Sequence, residues 1–243
     1  MRITVISNFK RSVLTAFAGL AFLGSLAVAE EPTVNPDRLP MFGQPKMTRP
    51  AHLQEADEAF IRDNTLRYKS RQAAGAAFAG QGWQALRAKQ LDAAMLSFNR
   101  AWLLDGKNYL AFWGFGALLS VRGRLLEALE QLETASKLLG EPIQRSALLA
   151  DLATLHSEYA ASLPDSQQLE RAQRFVVANN RFTECLENDP SFAGGWREWA
   201  ISLYAQERYS EAWARVKRAR ELRADPFPPD FIKKLSAKMP EPK

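Results

Sequence analysis

Cysteine and histidine are close to missing from this chain. Its 243 residues hold one cysteine, Cys185, and two histidines, His52 and His156, far apart in sequence. A single thiol excludes a disulfide within the chain, so stability must come from packing alone. Two distant imidazoles and one thiol spell out no zinc-type ligand cluster, and no metal or other cofactor is expected. Charge of one sign is scarce as well. The formal balance is +5, but Arg2, Lys10 and Arg11 supply three of those charges; the remainder sets 29 basic against 27 acidic residues. So small a surplus argues against nucleic acid or an anionic membrane surface as partner. Long apolar runs are limited to one, residues 13–28, where 16 residues carry no charge. That falls short of the roughly 20 residues of a membrane-spanning helix. What is present, 47% hydrophobic and 24% charged residues, is ordinary for a chain with a packed core.

The apolar run follows a basic start and ends in Ala27-Val28-Ala29, before Glu30-Glu31-Pro32. This is the order of a secretory signal peptide over 1–29, cleaved after Ala29, and it predicts a periplasmic protein with no stable membrane insertion after cleavage. The alternative is an uncleaved inner-membrane anchor. No cysteine stands at the cleavage point to carry a lipid. Residues 30–50 hold Pro32, Pro36, Pro40, Pro45 and Pro50. Proline removes amide donors and blocks helix, so the segment reads as a mostly disordered tether. Its other reading packs along the fold through Leu39, Met41 and Phe42. Residues 51–70 follow as a capping helix, with Leu53, Ala56 and Phe60 at helical spacing.

Beyond it the chain repeats itself. Segments 75–108 and 109–142 are each 34 residues long and align without a gap, Phe78 over Phe112, Gly82 over Gly116, Ala94 over Ala128, Phe98 over Leu132 and Ala101 over Ala135. A fixed period of this length predicts stacked helix–turn–helix units. Glycine inside a helix costs about 1 kcal/mol relative to alanine, so its recurrence at 82 and 116 predicts close contact between paired helices.

This order of a large aromatic, a small residue and a small–large–small second helix resembles the tetratricopeptide repeat. Asp105-Gly106-Lys107-Asn108 stands where the repeat's Asp-Pro ending falls. A further copy at 193–226 gives Trp196, Ala200, Tyr209, Ala212, Val216 and Ala219 at the same intervals, after an unmodified Asn188-Asp189-Pro190. The copy between them, 143–192, is stretched to 50 residues. It predicts two long helices, about 144–162 and on to 188, the second turning Leu169, Ala172, Phe175, Ala178, Phe182 and Cys185 to one face. The resemblance covers 75–226. It implies an all-α, right-handed α-solenoid of about four such hairpins, capped at each end, the last cap lying within 227–243 with Phe231 and Leu235 inward. Residues 98–105 with 113–116 are also similar to a small group of exported bacterial repeat proteins, which bears on localisation alone.

The same resemblance implies a concave groove built by the first helices. Its candidates are Trp83 and Arg87, then Trp113 and Ser120, then Asp151, then Arg197 and Tyr204. Aromatic rings there would anchor a peptide, and arginines would hold carboxylates by forked hydrogen bonds. The same rings can instead fill the stack, which is the preferred reading for Trp102, Trp196, Trp199 and Trp213. The lysine–asparagine clamp with which some members of the family hold a terminal carboxylate is absent. Cys185 reads as a core thiol, with a reactive thiol as the other possibility, and His156 as an exposed or capped side chain rather than a base. Gly80-Gln81-Gly82 and Gly114-Phe115-Gly116 imitate phosphate loops but lie inside helices. The expectation is therefore a non-catalytic protein–protein interaction module in the periplasm, binding a peptide or protein. The alternative is a structural or assembly subunit of a cell-envelope complex, acting by self-association or docking.

Overall fold

The computed structural model describes residues 35–140 and 144–242. The expected signal peptide, its cleavage point and the boundary at 142/143 lie outside the described residues. The described chain contains ten α-helices and falls into two compact units, 35–106 and 107–242. None of its helices is long and apolar enough to cross a membrane.

The first unit begins with two short 3-10 turns, Pro36–Arg38 and Pro40–Gly43, and continues into α1 (Ala51–Tyr68), α2 (Arg71–Arg87) and α3 (Leu91–Leu104). Here one expectation is corrected. Residues 35–50 are a strap packed on α3 rather than a disordered tether, and Asn99 is the reason. Its buried amide donates to the carbonyls of Asp37 (3.2 Å) and Leu39 (2.9 Å) and accepts from the Phe42 N–H (3.3 Å). One side chain thus satisfies three backbone groups that proline-rich chain leaves without helical partners. Phe42 is buried, the Arg49 guanidinium lies 3.9 Å from its ring centroid, and Arg49 grips Asp57 of α1 through two bonds of 2.6 and 2.8 Å.

In the second unit α4 (Tyr109–Val121) pairs with α5 (Leu125–Leu138), α6 (Arg145–Ser162) with α7 (Gln168–Asn188), and α8 (Ala193–Ala205) with α9 (Tyr209–Glu221); α10 (Phe231–Lys238) closes the chain. The all-α expectation of sequential, tetratricopeptide-like hairpins holds in each unit. The repeated glycines are where the helices touch. A Cβ on Gly82 would lie 2.6 Å from the Phe98 ring, and one on Gly116 would lie 2.7 Å from Leu132. Large residue and glycine face each other across each hairpin, so the large side chain fills the volume the glycine leaves open.

Three tight turns share one cap. In α2–α3, α4–α5 and α8–α9 the amides of Gln90, Arg124 and Arg208 bond back to Ala85, Leu119 and Leu203, each at 2.9 Å. This six-to-one bond, with the residue before it left-handed, is the Schellman ending. The left-handed position is glycine only at Gly123 (φ 75°); Lys89 and Glu207 hold it at φ 60°. At the end of the chain Phe231 and Leu235 are buried against Leu203, Trp213 and Val216.

Candidate partner-binding surface

Seven residues were expected along an open groove, and burial divides them. In the first unit, Ser70 caps α2 by accepting from Ala73 N–H at 3.0 Å. The helix then buries Ala74, Phe78, Ala79, Gly82 and Leu86 on one face. Trp83 is half-buried, its ring edge-on to Phe98 with centroids 5.4 Å apart. Arg87, one turn further on the same side, is exposed and makes no ion pair among the described residues. A cation in the last turn also suits the negative end of the helix dipole. An aromatic face beside an unpaired guanidinium can take an apolar side chain and a carboxylate together.

Four of the five candidates in the second unit are not open. Trp113, Ser120, Asp151 and Arg197 are buried, so the expectation that they line a groove is corrected. The reason is local in each case. Helix α4 is apolar on all sides and its residues 111–120 are all buried, Ser120 among them. The Trp113 indole N–H donates to an Asp151 carboxylate oxygen at 2.8 Å, tying α4 to α6. Arg197 turns its guanidinium to the chain that follows α9. Its Nε and Nη2 donate to the Pro226 carbonyl at 3.1 and 3.0 Å, and its Nη1 meets the Glu198 carboxylate. Both charges are about 97% buried, each side chain retaining 3–4% exposure. Tyr204 is half-buried, its ring 5.7 Å from both Tyr209 and Phe231, which makes it part of the C-terminal seal.

Other single residues resolve in the same way. Cys185 is fully buried, its S–H 3.1 Å from the Ser146 carbonyl, and burial first, with Asp189 next, pushes the thiol up to about 12. That is the inert core thiol, since the thiolate is the reactive form. His156 is buried rather than exposed or capped, and neither ring nitrogen makes a hydrogen bond. Its Nε2 lies 3.7 Å from Glu133 Oε1, a contact too long for a hydrogen bond. Trp213 is buried with its indole N–H on the Met239 carbonyl, while Trp196 and Trp199 are half-buried and stacked, centroids 6.2 Å apart.

Two features escaped the sequence reading. One is a charged chain across α5, α6 and α7, in which Arg145 pairs with Glu184 (2.6 Å), Glu184 with Arg181 (3.0 Å) and Arg181 with Glu133 (3.6 Å). His156 first, then Arg181, hold the Glu133 carboxyl below its ordinary value although burial opposes them. At Glu184 burial pushes upward, but Arg145 and Arg181 together outweigh it and the net shift is downward. The spacing of Arg181 and Glu184, three apart on one helix, was the available signal. The other is the start of α7. Leu169 and Ala172, expected on the packed face with Cys185, are exposed, as is Val176. The face that α7 buries further along carries Ala178, Phe182 and Cys185.

Among the described residues no group of three or more histidine, cysteine, aspartate or glutamate side chains is placed to hold a metal. No family model matches the chain, and no curated protein matches it. Solved structures do match, among them the crystal structure of YrrB, a TPR protein with an unusual peptide-binding site. It is 20% identical, the match covers 75% of this chain and 98% of that one, and the TM-score is 0.33. At that score neither a site nor a partner passes from it to this chain.

Proposed function

We propose that this chain is a non-catalytic interaction module, exported to the periplasm by residues 1–29, that holds a peptide or protein partner against α2. The observation that carries the binding reading is the pair Trp83 and Arg87, the ring half-buried and the guanidinium exposed without an ion-pair partner among the described residues. The partner chemistry that fits is an apolar side chain close to a carboxylate. Export rests on the basic start, the apolar run and the small residues at Ala27 and Ala29.

A photo-crosslinking residue at Gln84, exposed between the two, is expected to form an adduct in intact cells. The same residue at Glu130, exposed on α5, is not. Arg87→Glu should abolish the adduct at 84 without changing helicity. Equal adducts at both positions, or an adduct indifferent to Arg87→Glu, would remove α2 as the binding surface. Localisation has its own readout. The mature chain recovered from the periplasmic fraction should begin at Glu30, and an intact amino terminus in the membrane fraction would favour the anchor.

A further inference from the structure

Three rings line up between α7 and α8. Trp199 lies nearly parallel to Phe182 of α7, at an interplanar angle of 12° with centroids 5.9 Å apart. Trp196, three residues earlier on α8, tilts from Trp199 by 25° at 6.2 Å. Each indole is pinned by its own N–H, Trp196 on the Pro190 carbonyl and Trp199 on the Asn179 amide oxygen, both at 2.9 Å. The ring faces are therefore set before anything binds. Helix α9 lays the Arg215 guanidinium over this floor, 4.2 Å from the Trp199 centroid and 5.6 Å from that of Trp196. Stacking occupies the flat faces of a guanidinium and leaves its N–H edges for other bonds.

Those edges are unused. Of the arginines in α6 to α9, all but Arg215 form an ion pair among the described residues. Arg215 makes no hydrogen bond there either, and its Nε is covered by protein with no acceptor in reach. Burial holds its pKa below the ordinary arginine value, against the pull of Glu211. A half-buried cation without a counter-ion is costly, and an anion arriving from outside removes that cost. The neighbours define the anion. Glu211, one turn before Arg215, is held by Arg208 through two bonds of 2.7 Å. Two cations and one carboxylate leave a single positive charge, which a monoanion matches. A doubly charged phosphate would face Glu211 with only one guanidinium to hold it. A planar carboxylate suits the forked N–H edge, and the half-buried indoles beside it offer apolar surface to whatever carries that carboxylate.

We propose that Arg215, on the Trp196–Trp199 floor, is a binding site for an acidic side chain of a peptide or protein partner, an apolar neighbour of that side chain resting on the indoles. The site is built by α8 and α9 and does not rest on Trp83 and Arg87 of α2. Failure of either reading leaves the other standing.

The test titrates the isotope-labelled full chain and follows the Arg215 Nε–H and Trp199 indole N–H signals by NMR. The probe is the peptide acetyl-Leu-Glu-Leu-amide, and its glutamine counterpart, acetate and inorganic phosphate are the controls. The glutamate peptide is expected to shift both signals saturably and to bind about tenfold more tightly than the glutamine peptide, the difference of one charge-assisted pair. Arg215→Gln should abolish the Trp199 shift with helicity unchanged. Arg215→Lys, which keeps the charge and loses the fork, should weaken binding about fivefold. Glu211→Gln removes the competing carboxylate and should tighten binding about twofold, a gain that misfolding cannot imitate. Equal response to the two peptides, a response that survives Arg215→Gln, or weaker binding in Glu211→Gln would overturn the proposal. Acetate that binds as tightly as the glutamate peptide, or phosphate that binds more tightly, would overturn it too, the first in favour of free carboxylates and the second in favour of phosphate.

Discussion

Helices α2 and α6 are both first helices of a hairpin, both carry polar residues at positions suited to a groove, and treat them oppositely. Of the 17 residues of α2, six are buried, and the polar ones at its C-terminal end face solvent. Of the 18 in α6, 12 are buried, including Asp151, Thr154 and His156. Within its unit α6 is covered by α5, α7 and α8, whereas α2 has α1 and α3. A polar side chain on a first helix is therefore left open or made a buried tie according to how much of its own helix is buried. The second fate demands a partner inside the protein, because an unmatched buried charge or amide is costly. Trp113 with Asp151 and Arg197 with Glu198 are such ties.

The largest effect should come from Arg197. Removing one partner of a buried ion pair is expected to cost about 3–5 kcal/mol, because the other charge stays buried. Arg197→Ala should lower the urea midpoint accordingly and free the 222–230 segment that Pro226 anchors. If the double variant Arg197→Met, Glu198→Leu recovers most of the loss, the pair is a tie and nothing more. An Arg197→Ala chain as stable as wild type would return this residue to the binding surface.

Asn99 comes next. Asn99→Ala takes away two donors and an acceptor that serve the strap backbone, with an expected loss of about 2–3 kcal/mol. Trypsin should then cut early after Arg38 and Lys46, within the strap that packing protects. Unchanged protection would mean that Phe42 and Arg49 hold the strap by themselves.

Acid separates the same two classes of side chain. Glu133 and Glu184 are held below their usual value of 4.5, so the folded chain takes up these protons less readily than the unfolded chain. The stability they contribute is complete above that value and is lost as pH falls through their lower folded values. Urea midpoints should fall as pH drops below about 5, and Glu133→Gln should fall less over the same interval. Arg87, on α2, should leave this profile unaltered.

A smaller change is a gain. Lys89 and Glu207 occupy left-handed backbone in turns where the equivalent residue of the second hairpin is Gly123. Lys89→Gly and Glu207→Gly should each stabilise by about 0.5–1 kcal/mol, seen as a rise in melting temperature, since glycine enters that region without a Cβ clash.

The fold was legible because packing is periodic. Gly82 faces Phe98 and Gly116 faces Leu132, and each pair writes one contact twice at one interval. The long third hairpin was legible from Pro164 and Asn188-Asp189-Pro190, which mark where its helices must end. The strap was not, because five prolines describe only what backbone cannot do, and the residue that organises it, Asn99, lies 57 positions beyond Phe42. Leu169 is expected inward by following steps of three through 172, 175 and 178, but at 3.6 residues per turn those steps drift, and nine residues put Leu169 on the opposite side of α7 from Ala178. Trp113 and Asp151 sit 38 residues apart, and each alone looks like a groove residue. Only their hydrogen bond shows otherwise.

The smallest expected effect is the sharpest test of the comparison. Arg87→Ala removes an exposed side chain at the end of α2, where loss of the favourable dipole contact costs at most a few tenths of a kcal/mol. Its melting temperature should match wild type, while Trp83→Ala, which also strips a ring from Phe98, should destabilise by about 2–3 kcal/mol. The two variants are therefore unequal as probes. A loss of partner adduct in Trp83→Ala can follow from unfolding, whereas the same loss in Arg87→Ala has no structural route. If Arg87→Ala keeps its stability and loses the partner, α2 is an open binding helix and α6 a packed one. If it keeps both, the exposed guanidinium is ordinary surface, and the contrast between the two helices is one of coverage alone.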